Sequence, residues 1–207
     1  MIRGRFIVVE GIEGTGKSTS LALIERLIKE HGHQVLSTRE PGGTKTGEKV
    51  RAILLDNEEQ EMTAMTELLL MFAARRQHVD EVIEPALASG IWVISDRFTE
   101  SSYAYQGGGR QLGSETVSEL EAYVLGDFGP DLTIVLDLDI SIGLARATIG
   151  GDADRFEKEE QEFFRRVREV YLERATGDRY RTIDAGRTID QVQAEISSVI
   201  ESFCLGA

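Results

Sequence analysis

A phosphate-loop pattern constrains this chain of 207 residues more than any other feature of its sequence. The apolar run FIVVE (6–10) is followed directly by GIEGTGKS, which fits G-x-x-x-x-G-K-[ST] between a strand and a helix. In such a loop the backbone N–H groups curl around a phosphate, and the start of the next helix adds its positive dipole end. Lys17 supplies a mobile charge and Ser18 a hydroxyl that ligates Mg²⁺. The segment is therefore predicted to bind a nucleotide phosphate chain.

Strand-like and helix-like segments alternate along the whole chain. Apolar, β-branched runs recur as FIVVE (6–10), QVLSTRE (34–40), IWVISDR (91–97), TIVLDLD (133–139) and YRTIDA (180–185). Helix-period segments separate them, the longest at 62–89. Strands that are apolar almost throughout are typical of a parallel sheet covered by helices on both faces. We predict a three-layer α/β fold with a five-stranded parallel sheet, in a single domain spanning 1–207.

Charge and composition exclude several classes of protein. The 23 basic and 36 acidic residues give a formal charge of −13, which argues against binding nucleic acid. No run approaches the ~20 apolar residues of a membrane span, and the N-terminus lacks a signal-peptide layout, so a cytoplasmic protein is expected. Cys204 is the single cysteine, which excludes an internal disulfide. A guanine-specific switch protein would need an Asn-Lys-x-Asp element, and the chain contains no Asn-Lys pair.

Four further elements fall where loops meet the carboxyl edge of such a sheet, which is where ligands bind. They are REPGGT (39–44), FAARRQH (72–78), DRF (96–98) and SYAYQGGGR (102–110). Phe72 and Arg76 are four residues apart on a helix, so a ring and a guanidinium can address the same planar base. Asp96 and Arg97 end the third strand, and offer a carboxylate towards a metal and a cation towards a second phosphate.

The order of these motifs resembles that of the thymidylate kinases over nearly the whole chain. The segments that carry the resemblance are FIVVEGIEGTGKST, TREPGGT, ELLLMFAARRQH, VISDRF, SYAYQGGGR, LGDFGPDLTIVLDLD and ADRFE. The resemblance implies in-line phosphoryl transfer from ATP, with Mg²⁺, to dTMP, giving dTDP and ADP. It also implies a homodimer whose partners are the small molecules dTMP and MgATP.

The resemblance also implies roles for individual residues. ATP would contact Gly11, Ile12, Glu13, Gly14, Thr15, Gly16, Lys17, Ser18 and Thr19, and Mg²⁺ would be held by Ser18 and Asp96. dTMP would contact Glu40, Pro41, Arg51, Phe72, Arg76, Arg97, Ser102, Tyr105 and Gln106. The catalytic set would be Lys17, Glu13, Arg97, Arg155 and Arg146.

Within the acceptor set, the resemblance implies that Phe72 stacks on thymine and that Arg76 bonds its carbonyl edge. Arg97 and Arg51 would hold the dTMP phosphate. Tyr105 would crowd the 2′ position of the sugar and favour deoxyribose.

The expected lid, at about 146–157, departs from the pattern of similar bacterial members, which usually carry several arginines there. It lies within ARATIGGDADRFE, 145 to 157, where Arg146 and Arg155 are the basic residues. Stabilisation of the transition state would then depend on fewer cations.

Each assignment has a structural alternative that the sequence leaves open. Phe72 could be a core residue, Arg76 could pair with Asp80, Arg51 could lie on the surface, and Arg155 could pair with Glu159. Asp137 and Asp139, which end an apolar strand, resemble the carboxylate that follows a hydrophobic run in many phosphate-loop proteins. Asp96 is preferred for the metal, and Asp137 is interpreted as a strand-end residue.

Two rival functions are kept. A deoxynucleoside kinase shares the fold, but its acceptor has no phosphate and should not need Arg97 and Arg51. A catalytically silent nucleotide-binding regulator is suggested by the arginine-poor lid.

Overall fold

The computed structural model describes residues 2–56, 62–147, 155–157 and 159–206. A five-stranded sheet of order β2-β3-β1-β4-β5 is the centre of the fold, and every neighbouring pair is parallel. Its strands are β1 (Phe6–Glu10), β2 (Val35–Arg39), β3 (Trp92–Asp96), β4 (Leu132–Asp137) and β5 (Tyr180–Asp184). The predicted five-stranded parallel sheet is confirmed, and each strand ends within two residues of its predicted bounds.

Helices connect and cover the strands. They are α1 (Lys17–Glu30), α2 (Lys45–Leu55), α3 (Ala64–His78), α4 (Glu84–Ala88), α5 (Thr99–Ser102), α6 (Ser114–Leu125), α7 (Ile140–Ala147), α8 (Gln161–Arg174) and α9 (Ile189–Leu205). A π-helical turn at Val79–Ile83 joins α3 to α4, and a second one at Tyr103–Gly109 follows α5. The predicted helical segment 62–89 is thus one nearly continuous helical run.

The core lies on both faces of the sheet. Along β1, Ile7 and Val9 pack with α1 and α9, whereas Phe6 and Val8 pack with α3 and α6. This alternation follows from the two-residue period of a strand, and it gives the three predicted layers. α8 caps a third apolar cluster beside the carboxyl end of β4.

The sheet topology places β1 between β3 and β4, so the loops after β1 and β3 are neighbours. The carboxyl ends of these strands carry the phosphate loop and the Asp96–Phe98 turn. Of the expected lid, 148–154 lie outside the described residues, while Arg146 and the 155–157 turn are described. None of the helices in the described chain is both long and apolar enough to cross a membrane.

Candidate active site

A cavity of about 330 Å³ opens at the carboxyl edge of the sheet and joins the phosphate loop to the elements after β2 and β3. Its lining consists of Glu13, Gly14, Lys17, Ser18, Glu40, Pro41, Arg51, Leu55, Met71, Arg75, Asp96, Arg97, Phe98, Ser101, Ser102, Tyr105, Gln106, Phe156 and Glu157. Most of the residues predicted to contact the acceptor therefore surround one space.

The phosphate loop has the expected backbone. Gly14 has φ +75°, and a Cβ there would collide with the Gly143 carbonyl oxygen of α7, so glycine is required. Lys17 Nζ donates to the carbonyl oxygens of Gly11 at 3.1 Å and Ile12 at 3.0 Å. Burial lowers the pKa of Lys17 to about 8, because the ammonium is desolvated and stands near the Arg97 guanidinium.

A charged cluster joins the phosphate loop to the end of β3. Arg97 Nη2 donates to Glu13 Oε1 at 2.7 Å, and the Tyr105 hydroxyl donates to both Glu13 oxygens at 2.8 and 2.7 Å. The Arg97 guanidinium also lies 4.9 Å from the centre of the Tyr105 ring. Burial opposes ionisation of Glu13, but Arg97 and Lys17 outweigh it and keep the pKa of Glu13 below its usual value. The sequence predicted these residues separately, and the structure brings them into contact.

Two further buried side chains, Glu10 and Tyr171, hold the residues of this cluster by hydrogen bonds. Neither was predicted from the sequence. Glu10, fully buried at the end of β1, accepts from Phe98 N at 2.7 Å, Ser101 Oγ at 2.6 Å and the Tyr171 hydroxyl at 3.0 Å. Tyr171 also contacts Arg97, 3.0 Å from its Nη1. Burial raises the pKa of Glu10 despite these donors. A carboxylate that ends a wholly apolar strand was the available sequence signal.

The acceptor side is organised around Arg75, which the sequence analysis did not select. Its Nε donates to Glu40 Oε2 at 2.7 Å, its Nη1 to Ser102 Oγ at 3.0 Å and its Nη2 to the Phe98 carbonyl at 2.9 Å. Glu40 also contacts His78 Nδ1, 2.9 Å from its Oε1. The predicted acceptor residues Glu40 and Ser102 thus hold a buried guanidinium beside the cavity.

The structure contradicts the expectation that Phe72 and Arg76 share the base-facing side of α3. Phe72 is 1% exposed and lies in the core, 4.7 Å from the Arg75 guanidinium, and it is absent from the cavity lining. Arg76 Nε instead donates to Asp80 Oδ2 at 2.8 Å on the outer side of the helix. Met71 and Arg75, each one residue earlier, line the cavity in their place.

Three further residues that were predicted to contact the acceptor substrate line the cavity. Arg51 lines the cavity and donates to the Pro41 carbonyl at 2.9 Å. Gln106 and Tyr105 line the opposite wall, from the π-helical turn after α5.

Asp96 and Ser18 are the expected magnesium ligands, and both line the cavity. Asp96 Oδ1 is buried and has no hydrogen-bond partner in the described part of the chain, which suits an oxygen that binds a cation. Asp137, which was interpreted as a strand-end residue, is paired with Arg168, whose Nε lies 2.6 Å from its Oδ1. The described residues contain no cluster of three or more His, Cys, Asp or Glu side chains suited to a metal. Mg²⁺ bound through phosphates needs only one or two carboxylates, so Asp96 and Ser18 fit it.

A second cavity, of about 200 Å³, lies on the other side of the phosphate loop. It is lined by Thr15, Gly16, Thr19, Ser20, Arg146, Ala185, Arg187, Ile189, Val192 and Gln193. Arg146 Nη1 lies 3.4 Å from the Gly14 carbonyl oxygen, so this arginine reaches the loop. The loop between β5 and α9, which supplies Arg187, was not predicted to take part.

Arg155 lies behind the pocket, and its hydrogen-bond partners among the described residues do not include Glu159. Its Nη2 donates to Glu67 Oε2 at 2.6 Å and its Nε to the Leu54 carbonyl at 3.0 Å, and it is not among the residues that line the cavity. Glu159, the alternative partner, is paired with Arg110. Arg155 instead neutralises a fully buried carboxylate behind the pocket.

Comparisons with known proteins identify the family of this chain. The chain matches the thymidylate kinase family over residues 9–196. It is 55% identical over 201 residues to the thymidylate kinase of Nitrosospira multiformis, covering 96% of this chain and 98% of the relative. It is 51% identical over 201 residues to that of Ectopseudomonas mendocina, covering 96% of each chain, and 52% identical over 199 residues to that of Pseudomonas putida, covering 95% of each. The match extends from the phosphate loop to α9, so this chain belongs to the thymidylate kinase family.

Proposed function

We propose that this chain, as a member of the thymidylate kinase family, transfers the γ-phosphoryl group of ATP to dTMP and releases dTDP and ADP. The observation that carries the proposal is the single cavity that joins the phosphate loop to a pocket lined by Arg51, Arg75 and Arg97. A phosphate loop alone suits many nucleotide-binding proteins. Cations facing the loop across one space suit an acceptor that carries its own phosphate.

The donor half is built from the phosphate loop and the start of α1. Backbone N–H groups between Gly11 and Thr19 bind the β- and γ-phosphates, and Lys17 exchanges its loop carbonyls for phosphate oxygens. Asp96 and Ser18 would hold Mg²⁺, which neutralises charge on the phosphates when it is bound. Arg146 lies over the loop from the side of the second cavity.

In the acceptor half, Arg97 and Arg51 bind the dTMP phosphate, and Glu13 holds the Arg97 guanidinium in place. Ser102, Gln106 and Arg75 face the base, and the Tyr105 ring lies against the sugar. Glu40 and Pro41 form the wall beside Arg51 and Arg75. Met71 and Phe98 supply apolar contact for the ring, while Phe72 supports Arg75 from the core.

The reaction needs positioning and charge neutralisation more than proton transfer. An oxygen of the dTMP phosphate attacks the γ-phosphorus, the new P–O bond forms, and the bond to the β-phosphate oxygen breaks to release ADP. Lys17 stabilises the donor phosphates and Arg97 the acceptor phosphate, so the mutual repulsion of the two anions is reduced as they approach.

We also propose an oligomeric state and a cellular location for the enzyme. A homodimer is supported by Met65 and Leu69, which lie four residues apart on α3 and are 42% and 50% exposed. Ile53 on the neighbouring α2 is 45% exposed. We place the enzyme in the cytoplasm, where its nucleotide substrates are made, with no nucleic acid as a partner because the chain carries a charge of −13.

A turnover assay with three acceptor conditions tests the proposal. ADP release is measured with MgATP plus dTMP, MgATP plus thymidine, and MgATP alone. Release with dTMP is expected, whereas preference for thymidine would identify a deoxynucleoside kinase. ATP binding without turnover on either acceptor would identify a silent regulator. Lys17→Ala is the control that should abolish release while the melting temperature stays within a few degrees.

A further inference from the structure

A buried hydrogen-bond network lies directly behind the acceptor pocket, centred on Glu67 of α3. This side chain is fully buried, and its Oε1 accepts from Gln106 Nε2 at 2.7 Å. Its Oε2 accepts from Arg155 Nη2 at 2.6 Å and from Arg110 Nε at 3.2 Å. Donors from three side chains, two of them at the turn after α5, therefore converge on one carboxylate, which compensates for its burial.

Gln106 belongs to this network and also lines the cavity. An amide group has a donor end and an acceptor end, whereas a carboxylate paired with two guanidinium groups only accepts. The Gln106 nitrogen must therefore face Glu67, and its Oε1 is the end left over. Within the described ranges, Oε1 receives no hydrogen bond from the protein and is not sealed from the cavity.

We propose that Glu67 is a positioning residue that selects the acceptor base, because it fixes the Gln106 amide with its carbonyl oxygen towards the pocket. The inference rests on the proposed function of this pocket. A hydrogen-bond acceptor fixed at this place suits a pyrimidine whose ring N–H lies between two carbonyls, as in thymine and uracil. Cytosine carries an unprotonated ring nitrogen at that place, whose lone pair would face the lone pairs of the amide oxygen.

Arg75 completes the pattern from the other side of the pocket. Three of its N–H groups are used by Glu40, Ser102 and the Phe98 carbonyl, and a guanidinium carries five. Arg75 thus remains able to donate to a carbonyl of the base, next to the acceptor oxygen of Gln106. A guanidinium only donates, and the Gln106 amide cannot flip while Glu67 holds its nitrogen, so the pocket presents a fixed donor beside a fixed acceptor. A site built to hydrogen-bond a group of the substrate strongly rejects analogues that lack that group.

The test compares dTMP and dCMP as acceptors. In Glu67→Gln the amide oxygen should stay on Arg155, since a guanidinium offers only donors, and the amide nitrogen should turn to Gln106. Gln106 must then rotate and present its own nitrogen to the pocket. We expect the ratio of kcat/KM for dTMP to that for dCMP to fall by about tenfold or more, with the KM for ATP unchanged. Where dCMP turns over too slowly, its inhibition constant against dTMP replaces its KM.

A double exchange separates orientation from packing. In Glu67→Gln with Gln106→Glu, the amide nitrogen of residue 67 donates to the new carboxylate, whose second oxygen faces the pocket as an acceptor. The preference for dTMP should therefore return. This variant also keeps a buried carboxylate in the network, so it decides the question if Glu67→Gln does not fold.

Glu159→Gln is the matched control, because it breaks the pair with Arg110 in the same network without touching Gln106. Its ratio should stay within about twofold of the unmodified enzyme. An unchanged ratio in folded Glu67→Gln, or a loss of preference in the double exchange, overturns the inference. Equal losses of kcat/KM for dTMP, dCMP and ATP in Glu67→Gln also overturn the inference, since they indicate a purely structural role for Glu67. Failure of the unmodified enzyme to use dTMP would instead refute the proposed function.

Discussion

Arg97 and Glu13 form an ion pair of 2.7 Å that ties the end of β3 to the phosphate loop. Arg97 adopts the left-handed backbone conformation with φ +72°, which is uncommon for a residue other than glycine. The hydrogen bonds that Glu10 accepts from Phe98 and Ser101 hold this turn. The guanidinium is thus already oriented towards the cavity, and little reorganisation is needed when a phosphate binds.

Replacing Arg97 should weaken the binding of dTMP far more than the binding of ATP. Hydrogen bonds to charged groups contribute about 1.5–3 kcal/mol, so Arg97→Met should raise the KM for dTMP by about 10- to 100-fold. The KM for ATP should change little. Arg97→Lys, which keeps the charge but loses the forked geometry, should be intermediate. Steady-state kinetics with each substrate varied would contradict this assignment if both KM values rose equally.

The lowered pKa of Lys17 predicts how ATP binding depends on pH. In the free enzyme Lys17 loses its proton above a pKa of about 8, compared with 10.5 for an ordinary lysine. Phosphates favour the charged form, so binding above pH 8 takes up a proton, and affinity should fall by up to about tenfold per pH unit. Calorimetric titration of ATP between pH 7 and 10 measures this slope. Lys17→Arg stays charged over this range and should flatten it; the same slope in both proteins would assign it to another group.

Substitution of Arg75 should impair the enzyme far more than substitution of its neighbour Arg76. Arg75→Lys cannot serve Glu40, Ser102 and the Phe98 carbonyl together, so the KM for dTMP should rise at least about tenfold. Arg76 forms a partly exposed pair with Asp80, and Arg76→Lys should alter stability by less than about 1 kcal/mol and leave kinetics unchanged. Kinetics and melting curves of the two variants decide between them, and a selective defect in Arg76→Lys would restore the sequence-based assignment.

Tyr105 allows the roles of its ring and its hydroxyl to be separated. The hydroxyl donates to Glu13 and contacts Arg97 at 3.2 Å, so Tyr105→Phe should lower kcat while keeping the preference for deoxyribose. Tyr105→Ala removes the ring and should narrow the gap between dTMP and its ribonucleotide analogue. Measured kcat/KM for both acceptors tests this, and a ribonucleotide used equally well by the unmodified enzyme would refute it.

The fold was predictable because its signals are local and periodic. FIVVE coincides with β1, and the other runs locate the remaining strands within two residues. The motif of the phosphate loop was recognisable for the same reason, since Gly14, Lys17 and Ser18 lie within one short segment.

The predictions that differ from the structure concern which residues of a helix face the pocket. Successive residues of a helix differ by about 100° in direction, so the pair Arg75-Arg76 does not reveal which arginine faces the pocket. That is decided by Glu40, which lies 35 residues away after β2. Phe72 was misassigned by the same one-residue error. Glu10 and Tyr171, separated by 161 residues, carry no local pattern that would connect them.

We expect Arg155 to be a structural residue and Arg146 to be a catalytic one, and substitution of each should show this difference. Breaking a buried ion pair costs about 3–5 kcal/mol, and since Arg110 still contacts Glu67, Arg155→Met should destabilise by about the lower figure. Its kcat should fall by less than about tenfold. Arg146 lies exposed over the phosphate loop, so Arg146→Met should lower kcat without changing the melting temperature or either KM. Thermal melting and steady-state kinetics of both variants provide the comparison. If Arg155→Met lost about a thousandfold in kcat at an unchanged melting temperature, Arg155 would act on the transferring phosphoryl group after all.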